Sequence, residues 1–478
     1  MLFNSFEFVL FLPLSFLLYW FVFKKHLKAQ NFFLLAISYL FYGWWDWRFL
    51  SLIAFSSLVD FIAGQQIEKS STKARKKLFL WISICTNLGF LGFFKYFNFF
   101  AESFADMMNM IGVQANPWSL NVILPVGISF YTFQTMSYTI DLYRGQMKAE
   151  KDPIAFFAYV SFFPQLVAGP IERAVNLLPQ FKIKREFTYE QGADGMRLIL
   201  WGLFKKVVIA DNCALFVNEV FANYQSASGL ELILGAVFFA FQIYGDFSGY
   251  SDIAIGTAKL FGFNLMTNFR TPYFSRDMAE FWRRWHISLS TWFRDYVYIP
   301  LGGSRVGKGR AVFNTFVIFV VSGFWHGANW TFIVWGALNA IYFLPLLLMG
   351  KNRKNTDTVA ENRFLPNLKE LWQMGTTFAL TCLAWVFFRA NSIVDANNYF
   401  FEIFQSEFLP SNFSLFKYYL PIIFLPFILI EWKIRSKGFN STVKIQNVIS
   451  RIAVYFLIVI FLIVYGNFNQ TEFIYFQF

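Results

Sequence analysis

Histidine and cysteine are scarce in this chain of 478 residues, which contains three of each. Three histidines cannot form a histidine-rich metal cluster, and no HExxH pair is present, so the sequence disfavours metal-dependent catalysis. Cys85, Cys213 and Cys382 are far apart in the chain and form no CxxC pair. They therefore indicate neither a zinc site nor a disulfide framework. A GxSxG nucleophile motif, a Walker loop and a GxGxxG fingerprint are also absent.

Charged residues are few as well, at 15% of the chain against about 25% in an ordinary soluble domain. Hydrophobic residues instead make up 56% of the chain, and aromatic residues 22%. Apolar runs recur without a composition shift that would mark a separate globular unit. We therefore predict one all-α polytopic membrane domain over residues 1–478, with about eleven to thirteen transmembrane or re-entrant helices.

The net charge of +12 is concentrated in short loops between apolar runs, the pattern of a membrane protein rather than a nucleic-acid partner. Lys24 and Lys25 follow the first run, Phe8–Phe23, which lacks a small-residue cleavage site and is predicted to be a retained span. A second basic loop, Lys69–Lys77, falls on the same side. These loops predict a multi-pass protein of the cytoplasmic membrane with its N-terminus outside.

Two apolar runs contain helix-breaking residues. Leu120–Leu142 has Pro125 and Gly127 near its start and polar side chains along its centre. It is predicted to lie inside the helix bundle, because backbone groups freed by proline need protein partners within a membrane. Pro153–Pro170 leads into the sequence PQLVAGPIER and predicts a broken or re-entrant helix.

Charged residues interrupt two later apolar runs. Lys205 and Lys206 lie within Gly192–Phe216, which suggests that this run begins as an interfacial helix. Asp246 and Asp252 flank a segment rich in serine, glycine and tyrosine, where we expect a break. The two acids could bind a cation or pair with arginines of the stretch described next, and pairing is favoured because buried charges are usually paired.

The stretch EFWRRWHISLSTWFRDYVYIPLGGSR, residues 280–305, holds the second histidine, His286. Helical spacing predicts an amphipathic interfacial helix with an apolar face formed by Phe281, Trp285, Leu289 and Trp292, and a polar side formed by Arg283, Arg284 and Arg294. By position alone, His286 is more readily a polar residue on a wetted face than a functional one. The three arginines could bind the phosphates of coenzyme A, a carrier-protein phosphopantetheine or anionic lipid headgroups.

The third histidine, His326, follows His286 by 40 residues and lies inside the apolar run Ala311–Met349. An ionisable residue at that depth is by default a functional-site candidate, the alternative being a neutral histidine hydrogen-bonded across two helices. Gly323 and Gly327 would let a ligand or another backbone approach closely. A neutral imidazole in an apolar setting suits a general base.

Together, FWRRWHISLSTWFRDYVYIPLGGSR and VSGFWHGANWTFIVWG resemble the membrane-bound O-acyltransferase family. The PLGG ending, PQLVAGPIER, DFSGYSDIAIG and the terminal FIYFQF are similar to its bacterial branch, typified by the membrane subunit of alginate O-acetylation. The resemblance implies a ring of helices around a thin, tunnelled centre. It also implies that His326 matches the catalytic histidine of the family and His286 its second signature histidine.

The resemblance further implies an acetyl transfer without a bound cofactor, from a cytoplasmic donor, acetyl-coenzyme A, to a hydroxyl of an extracytoplasmic polysaccharide or cell-wall polymer. An extracytoplasmic acetyltransferase-type partner protein is expected to complete it. Arg283, Arg284, Arg294, Asn329 and Trp325 are the candidate substrate contacts, with Asn329 and Trp330 as candidate oxyanion donors by adjacency.

Other functions remain open to the sequence. The enzyme could transfer another acyl group from a carrier protein, or act on a lipid. A transporter or flippase could use His326 and the Asp246–Asp252 segment as a proton relay or substrate site, although no internal repeat supports this. A structural subunit of a secretion complex is a further alternative.

Overall fold

The computed structural model describes residues 1–120, 122–167, 169–410, 420–439, 448–468 and 473–474. The protein is 74% helical, and the described residues include no β-strand. The predicted all-α class is therefore confirmed. The chain forms two compact units, one of residues 1–195 and 254–266, the other of residues 196–253 and 267–478. A single membrane domain stays a prediction.

The helices of the first unit are α1 Phe6–Leu17, α2 Leu27–Asp46, α3 Leu50–Lys69, α4 Lys73–Leu91, α5 Phe97–Met110, α6 Ile128–Tyr143, α7 Pro153–Val160, α8 Phe163–Leu166 and α9 Ala174–Leu177. Helices shared by both units are α10 Tyr189–Leu203 and α12 Gly229–Leu260. The second unit adds α11 Asp211–Ala222, α13 Met278–Arg284, α14 Ile287–Phe293, α15 Lys308–His326, α16 Trp330–Leu348, α17 Leu368–Arg389, α18 Ile393–Gln405, α19 Leu420–Ile434 and α20 Val448–Tyr465.

Six helical stretches within the described residues are long and apolar enough to cross a membrane. They are Leu27–Lys69, Lys73–Met110, Gly229–Leu260, Trp330–Leu348, Leu368–Arg389 and Val448–Tyr465. Phe6–Val22 and Pro153–Leu166 are shorter apolar helices. A multi-pass membrane protein is therefore confirmed, although fewer helices meet these criteria than the number of spans predicted.

The two runs with helix breakers behave largely as predicted. Helix α6 starts only at Ile128, because Gly127 adopts a left-handed conformation with φ of 75°. From Ile128 to Thr139 every side chain is buried, so this helix lies in the interior of its unit. The predicted break in the following run lies between α7 and α8, at Ser161 and Phe162.

One prediction about the charged runs is wrong. Asp246 and Asp252 lie on the uninterrupted helix α12, without the expected break. Lys205 and Lys206 are buried on a π-helical segment, Phe204–Ala210, and an interfacial start of this run stays a prediction. Both lysines are needed to neutralise the acids, as described below.

Candidate active site

The stretch around His286 forms two short helices rather than one amphipathic helix. Helix α13 ends at Arg284 and α14 begins at Ile287, because His286 between them adopts a left-handed conformation with φ of 42°. The predicted apolar face is confirmed, since Phe281, Trp285, Leu289 and Trp292 are buried. The prediction of a wetted His286 is wrong, because its side chain is fully buried at the junction of the two helices.

Asn268 holds the imidazole of His286. Its Oδ1 lies 3.1 Å from His286 Nδ1 and also accepts a hydrogen bond of 2.8 Å from the Ser288 hydroxyl. Its amide nitrogen donates to the Ser251 hydroxyl at 3.1 Å. Asn268, Ser251 and Ser288 are all buried. The imidazole is therefore anchored on one side by a polar network drawn from α12, α14 and the segment before α13.

Burial determines the charge state of His286. The side chain lies outside the long apolar helices, but Phe247 packs edge-on against its ring at a centroid distance of 4.6 Å. Loss of solvation disfavours the imidazolium and lowers the pKa of His286 to about 3. His286 is therefore neutral at physiological pH.

His326 is the last residue of α15 and is buried in an aromatic cage. Ring centroids of Trp335 and Phe388 lie 5.2 and 5.5 Å from its own, both edge-on. Trp325 packs against it at 4.9 Å. The ring of His286 lies 6.3 Å away. The two histidines, 40 residues apart in sequence, thus share one site, enclosed largely by aromatic side chains.

Glycines allow the two helices that carry this site to pack closely. A Cβ atom on Gly323 of α15 would overlap the carbonyl oxygen of Phe332 on α16. A Cβ on Gly336 of α16 would overlap the carbonyl of Phe319 in return. Gly327 follows the last residue of α15 and faces the Phe332 ring. Of the two expected uses of these glycines, the close approach of another backbone is observed at Gly323.

The three arginines predicted to bind substrate form their hydrogen bonds and ion pairs with residues other than the two histidines. Arg283 donates to the carbonyl oxygens of Asn352 and Asn355 at 2.7 and 2.6 Å. Arg284 forms an ion pair of 2.9 Å with Glu280 and donates to the carbonyl oxygen of Asp357 at 3.2 Å. Arg294 pairs with the adjacent Asp295 at 2.6 Å. The first two fasten the loop after α16 to α13, and a role of the three in substrate binding stays a prediction.

Asn329 and Trp325 have defined places near His326. The Asn329 side chain caps α16 by accepting from the Thr331 backbone N–H at 3.0 Å, and its amide donates to the Asn391 carbonyl at 2.9 Å. Trp325 is buried, with its ring 6.1 Å from that of His286. Trp325 therefore contacts both histidines, whereas the Asn329 amide is engaged in holding a turn. Substrate contact by either residue stays a prediction.

The acids of α12 are paired, as favoured from the sequence, but with lysines rather than arginines. Lys206 bridges Asp246 at 2.7 Å and Asp211 at 2.8 Å, and Lys205 pairs with Asp252 at 2.7 Å. The sequence signal that could have indicated this is the position of both lysines inside an apolar run, since a buried lysine needs a carboxylate. Among the described residues, no group of three or more potential ligands is arranged to hold a metal ion.

A cavity of about 240 Å³ lies next to the aromatic side chains that back the site. Tyr244 and Tyr273 line it and also pack against Trp285, at centroid distances of 6.1 and 5.9 Å. Its polar lining includes Glu431, whose carboxylate accepts from the Tyr244 hydroxyl at 2.7 Å. The cavity is thus an apolar space beside the residue that precedes His286.

Sequence reasoning missed Asn268, Trp335 and Phe388 as members of the site. Asn268 lies 18 residues before His286 in a segment without helical periodicity, and the two aromatic residues lie on later apolar helices. Trp335 lies within the quoted motif VSGFWHGANWTFIVWG, whereas nothing in the local sequence of Asn268 or Phe388 distinguishes them from other polar or aromatic residues. Only the folding of α16 and α17 against α15 brings the two aromatic rings to His326.

Comparison with known proteins identifies what this site is similar to. The model of MBOAT, the membrane-bound O-acyltransferase family, matches residues 146–386, which include both histidines. A probable alginate O-acetylase of Pseudomonas putida is 40% identical over 396 residues, which cover 82% of this chain and 78% of the relative.

Two further relatives act on other polymers according to their names. A peptidoglycan O-acetyltransferase of Helicobacter pylori is 37% identical over 83% of this chain and 78% of its own length. A teichoic acid D-alanyltransferase of Streptococcus thermophilus is 29% identical over 59% of this chain and 71% of its own length.

Proposed function

The chain belongs to the membrane-bound O-acyltransferase family, and from that membership we propose that it transfers an acetyl group from cytoplasmic acetyl-coenzyme A to a hydroxyl of an extracytoplasmic polysaccharide or cell-wall polymer. Membership makes the protein a membrane O-acyltransferase, so the transporter hypothesis is set aside. The observation that carries the proposal is the pair of buried histidines, with ring centroids 6.3 Å apart.

The names of the relatives favour acetyl as the transferred group. Relatives named for O-acetylation are 37–40% identical over more than 80% of the chain. The relative named for D-alanyl transfer is 29% identical over 59% of it. The acceptors named for the O-acetylating relatives are alginate and peptidoglycan. A hydroxyl-bearing extracytoplasmic polymer is the acceptor class common to both.

We assign the general base to His326. Its Nε2 or Nδ1 removes the proton from the acceptor hydroxyl while the hydroxyl oxygen attacks the carbonyl carbon of the thioester. A carbon–oxygen bond forms, the carbon–sulfur bond breaks, and the imidazolium returns the proton to the leaving thiolate. The aromatic cage of Trp325, Trp335 and Phe388 excludes water, which limits hydrolysis of the thioester.

The proposed reaction moves an acetyl group from the cytoplasm to the outside of the cell. The proposal therefore includes the membrane, the side from which the donor binds and a partner protein. The positions of the basic loops favour the cytoplasmic membrane, with the donor bound from the cytoplasm. An extracytoplasmic acetyltransferase-type partner protein carries the acetyl group to the polymer. The donor could instead be an acylated carrier protein, and the test below separates the two.

The test is transfer of labelled acetyl from acetyl-coenzyme A in membranes that contain the protein, its native partners and its acceptor. We expect ester-bound label with the wild type and a loss of at least about 100-fold with His326→Ala, because a general base contributes that much or more to the rate. Chemical release of acetate identifies the ester.

His26→Ala is the matched control, since His26 is the remaining histidine and is exposed before α2. It should transfer label as the wild type does. Transfer from an acetylated carrier protein but not from coenzyme A would overturn the donor assignment. Full activity of His326→Ala would overturn the role of His326.

A further inference from the structure

One nitrogen of the site has an unmet hydrogen-bonding capacity. His286 Nε2 is buried and has no hydrogen-bond partner within the described part of the chain. A buried polar atom left without a partner destabilises the fold, because it has lost its hydrogen bonds to water. Such atoms are retained where a bound ligand or substrate supplies the missing hydrogen bond. Whether Nε2 would donate or accept depends on which nitrogen of the ring carries the proton.

The contacts of the other ring nitrogen, Nδ1, determine which nitrogen of His286 carries the proton. The amide of Asn268 has its oxygen toward His286, because the same oxygen lies 3.3 Å from the backbone N–H of Ser288, which can only donate. The opposite amide orientation would bring two donors together there. In this orientation the amide nitrogen donates to the Ser251 hydroxyl at 3.1 Å. An oxygen 3.1 Å from Nδ1 requires a hydrogen on Nδ1.

We propose that Asn268 is a positioning residue that fixes His286 as the Nδ1–H tautomer, so that its Nε2 accepts a hydrogen bond from an O–H or N–H group of the bound substrate. A neutral acceptor cannot stabilise an oxyanion or pair with a phosphate. His286 and His326 therefore differ in role. His326 removes the proton of the acceptor hydroxyl and returns it to the leaving thiolate, whereas His286 orients the substrate by accepting a hydrogen bond from it. The role toward substrate rests on the function proposed above, whereas the tautomer does not.

The left-handed backbone of His286 supports this assignment. A residue other than glycine rarely adopts a positive φ, and such strain persists where the surrounding structure imposes it. Here the backbone N–H of Ile287 donates to the Asn268 carbonyl at 2.9 Å, and the Asn268 side chain binds both His286 and Ser288. Asn268 thus holds the backbone and the ring of this turn together.

Nitrogen-15 NMR of histidine-labelled protein in lipid nanodiscs tests the tautomer, and three histidines give a spectrum simple enough to assign. His286→Gly identifies the His286 signals by their loss. In the wild type we expect a protonated Nδ1 and an unprotonated Nε2 for His286. In Asn268→Ala we expect a mixture of both tautomers and acetyl transfer reduced about 10- to 100-fold.

Two variants serve as controls. Asn268→Asp keeps the acceptor oxygen and should keep the Nδ1–H tautomer. Ser251→Ala removes only the contact on the far side of the Asn268 amide and should keep the wild-type spectrum. A wild-type His286 protonated at Nε2, or an unchanged spectrum in Asn268→Ala, would overturn the proposal. If no membrane transfers acetyl, the proposed function fails, while the spectra still decide the tautomer.

Substrate addition tests the acceptor role separately. Coenzyme A offers amide N–H groups, and a soluble oligosaccharide of alginate offers hydroxyls. A shift of the Nε2 signal with coenzyme A alone would show that the acetyl donor supplies the hydrogen bond to Nε2. A shift with the oligosaccharide alone would show that the acetyl acceptor supplies it. Failure of Nε2 to shift with either one, while transfer proceeds in the same sample, would overturn the proposed hydrogen bond to substrate.

Discussion

His286 concentrates several unusual properties in one residue: full burial, a positive φ and an unpartnered Nε2 among the described residues. Each is unfavourable for stability, and together they support the role toward substrate that we propose for His286. The local sequence indicated a wetted face, because arginines surround it. It could not indicate burial, which depends on Phe247 and Phe269 from elsewhere in the chain packing on the ring.

The strain at His286 gives a residue-scale prediction. Glycine accepts a φ of 42°, whereas alanine there bears a steric cost of about 1 kcal/mol. We expect both His286→Gly and His286→Ala to lose activity, with His286→Gly the more stable by about that amount. Thermal unfolding of detergent-solubilised protein measures the difference. Equal stability, or a more stable alanine variant, would show that the turn is not strained.

Helices α15 and α16 carry the site between them, since α15 ends in His326 and α16 carries Trp335. The sequence identified both the apolar run and its small residues. It left open whether those glycines faced a ligand or a helix. The answer required the crossing of the two helices, where Gly323 and Gly336 lie against the opposing backbone.

We therefore expect Gly323→Ala to destabilise the protein by about 1–3 kcal/mol, because the new methyl group must separate α15 from α16. It should also reduce acetyl transfer by displacing His326. Gly309 lies on the same helix, and a Cβ there meets no described atom within 4 Å. Gly309→Ala should be neutral or stabilising by up to about 1 kcal/mol. Equal effects of the two substitutions on the unfolding temperature would contradict this account of the packing.

At the scale of the whole molecule, the charge pattern predicts how the chain crosses the bilayer. Lys69–Lys77 is a basic loop, whereas residues 97–143 contain no lysine or arginine. The positive-inside rule places the first on the cytoplasmic side, and residues 111–119, one span further on, outside. The acids Glu102 and Asp106 lie on α5, just before these residues.

Single added cysteines test this orientation. Ser71→Cys should react with a membrane-impermeant maleimide only when the cytoplasmic face is accessible, and Ser119→Cys only from outside. Both positions are exposed, while the native Cys213 and Cys382 are buried. Cys85 is exposed on the apolar helix α4, so the unmodified protein measures the background. Labelling of both added cysteines from one side would contradict the predicted topology.

The sequence by itself determined the membrane class, the all-helical fold and the two histidines, because apolar composition and rare ionisable residues within it are readable without a structure. It also held the motifs by which the family is recognised. Only the tertiary structure decided which charges pair, that the helix breaks at His286 and what surrounds each imidazole. Those features depend on contacts between residues far apart in the chain, such as Lys206 with Asp246 and Asn268 with His286, and no local pattern encodes them.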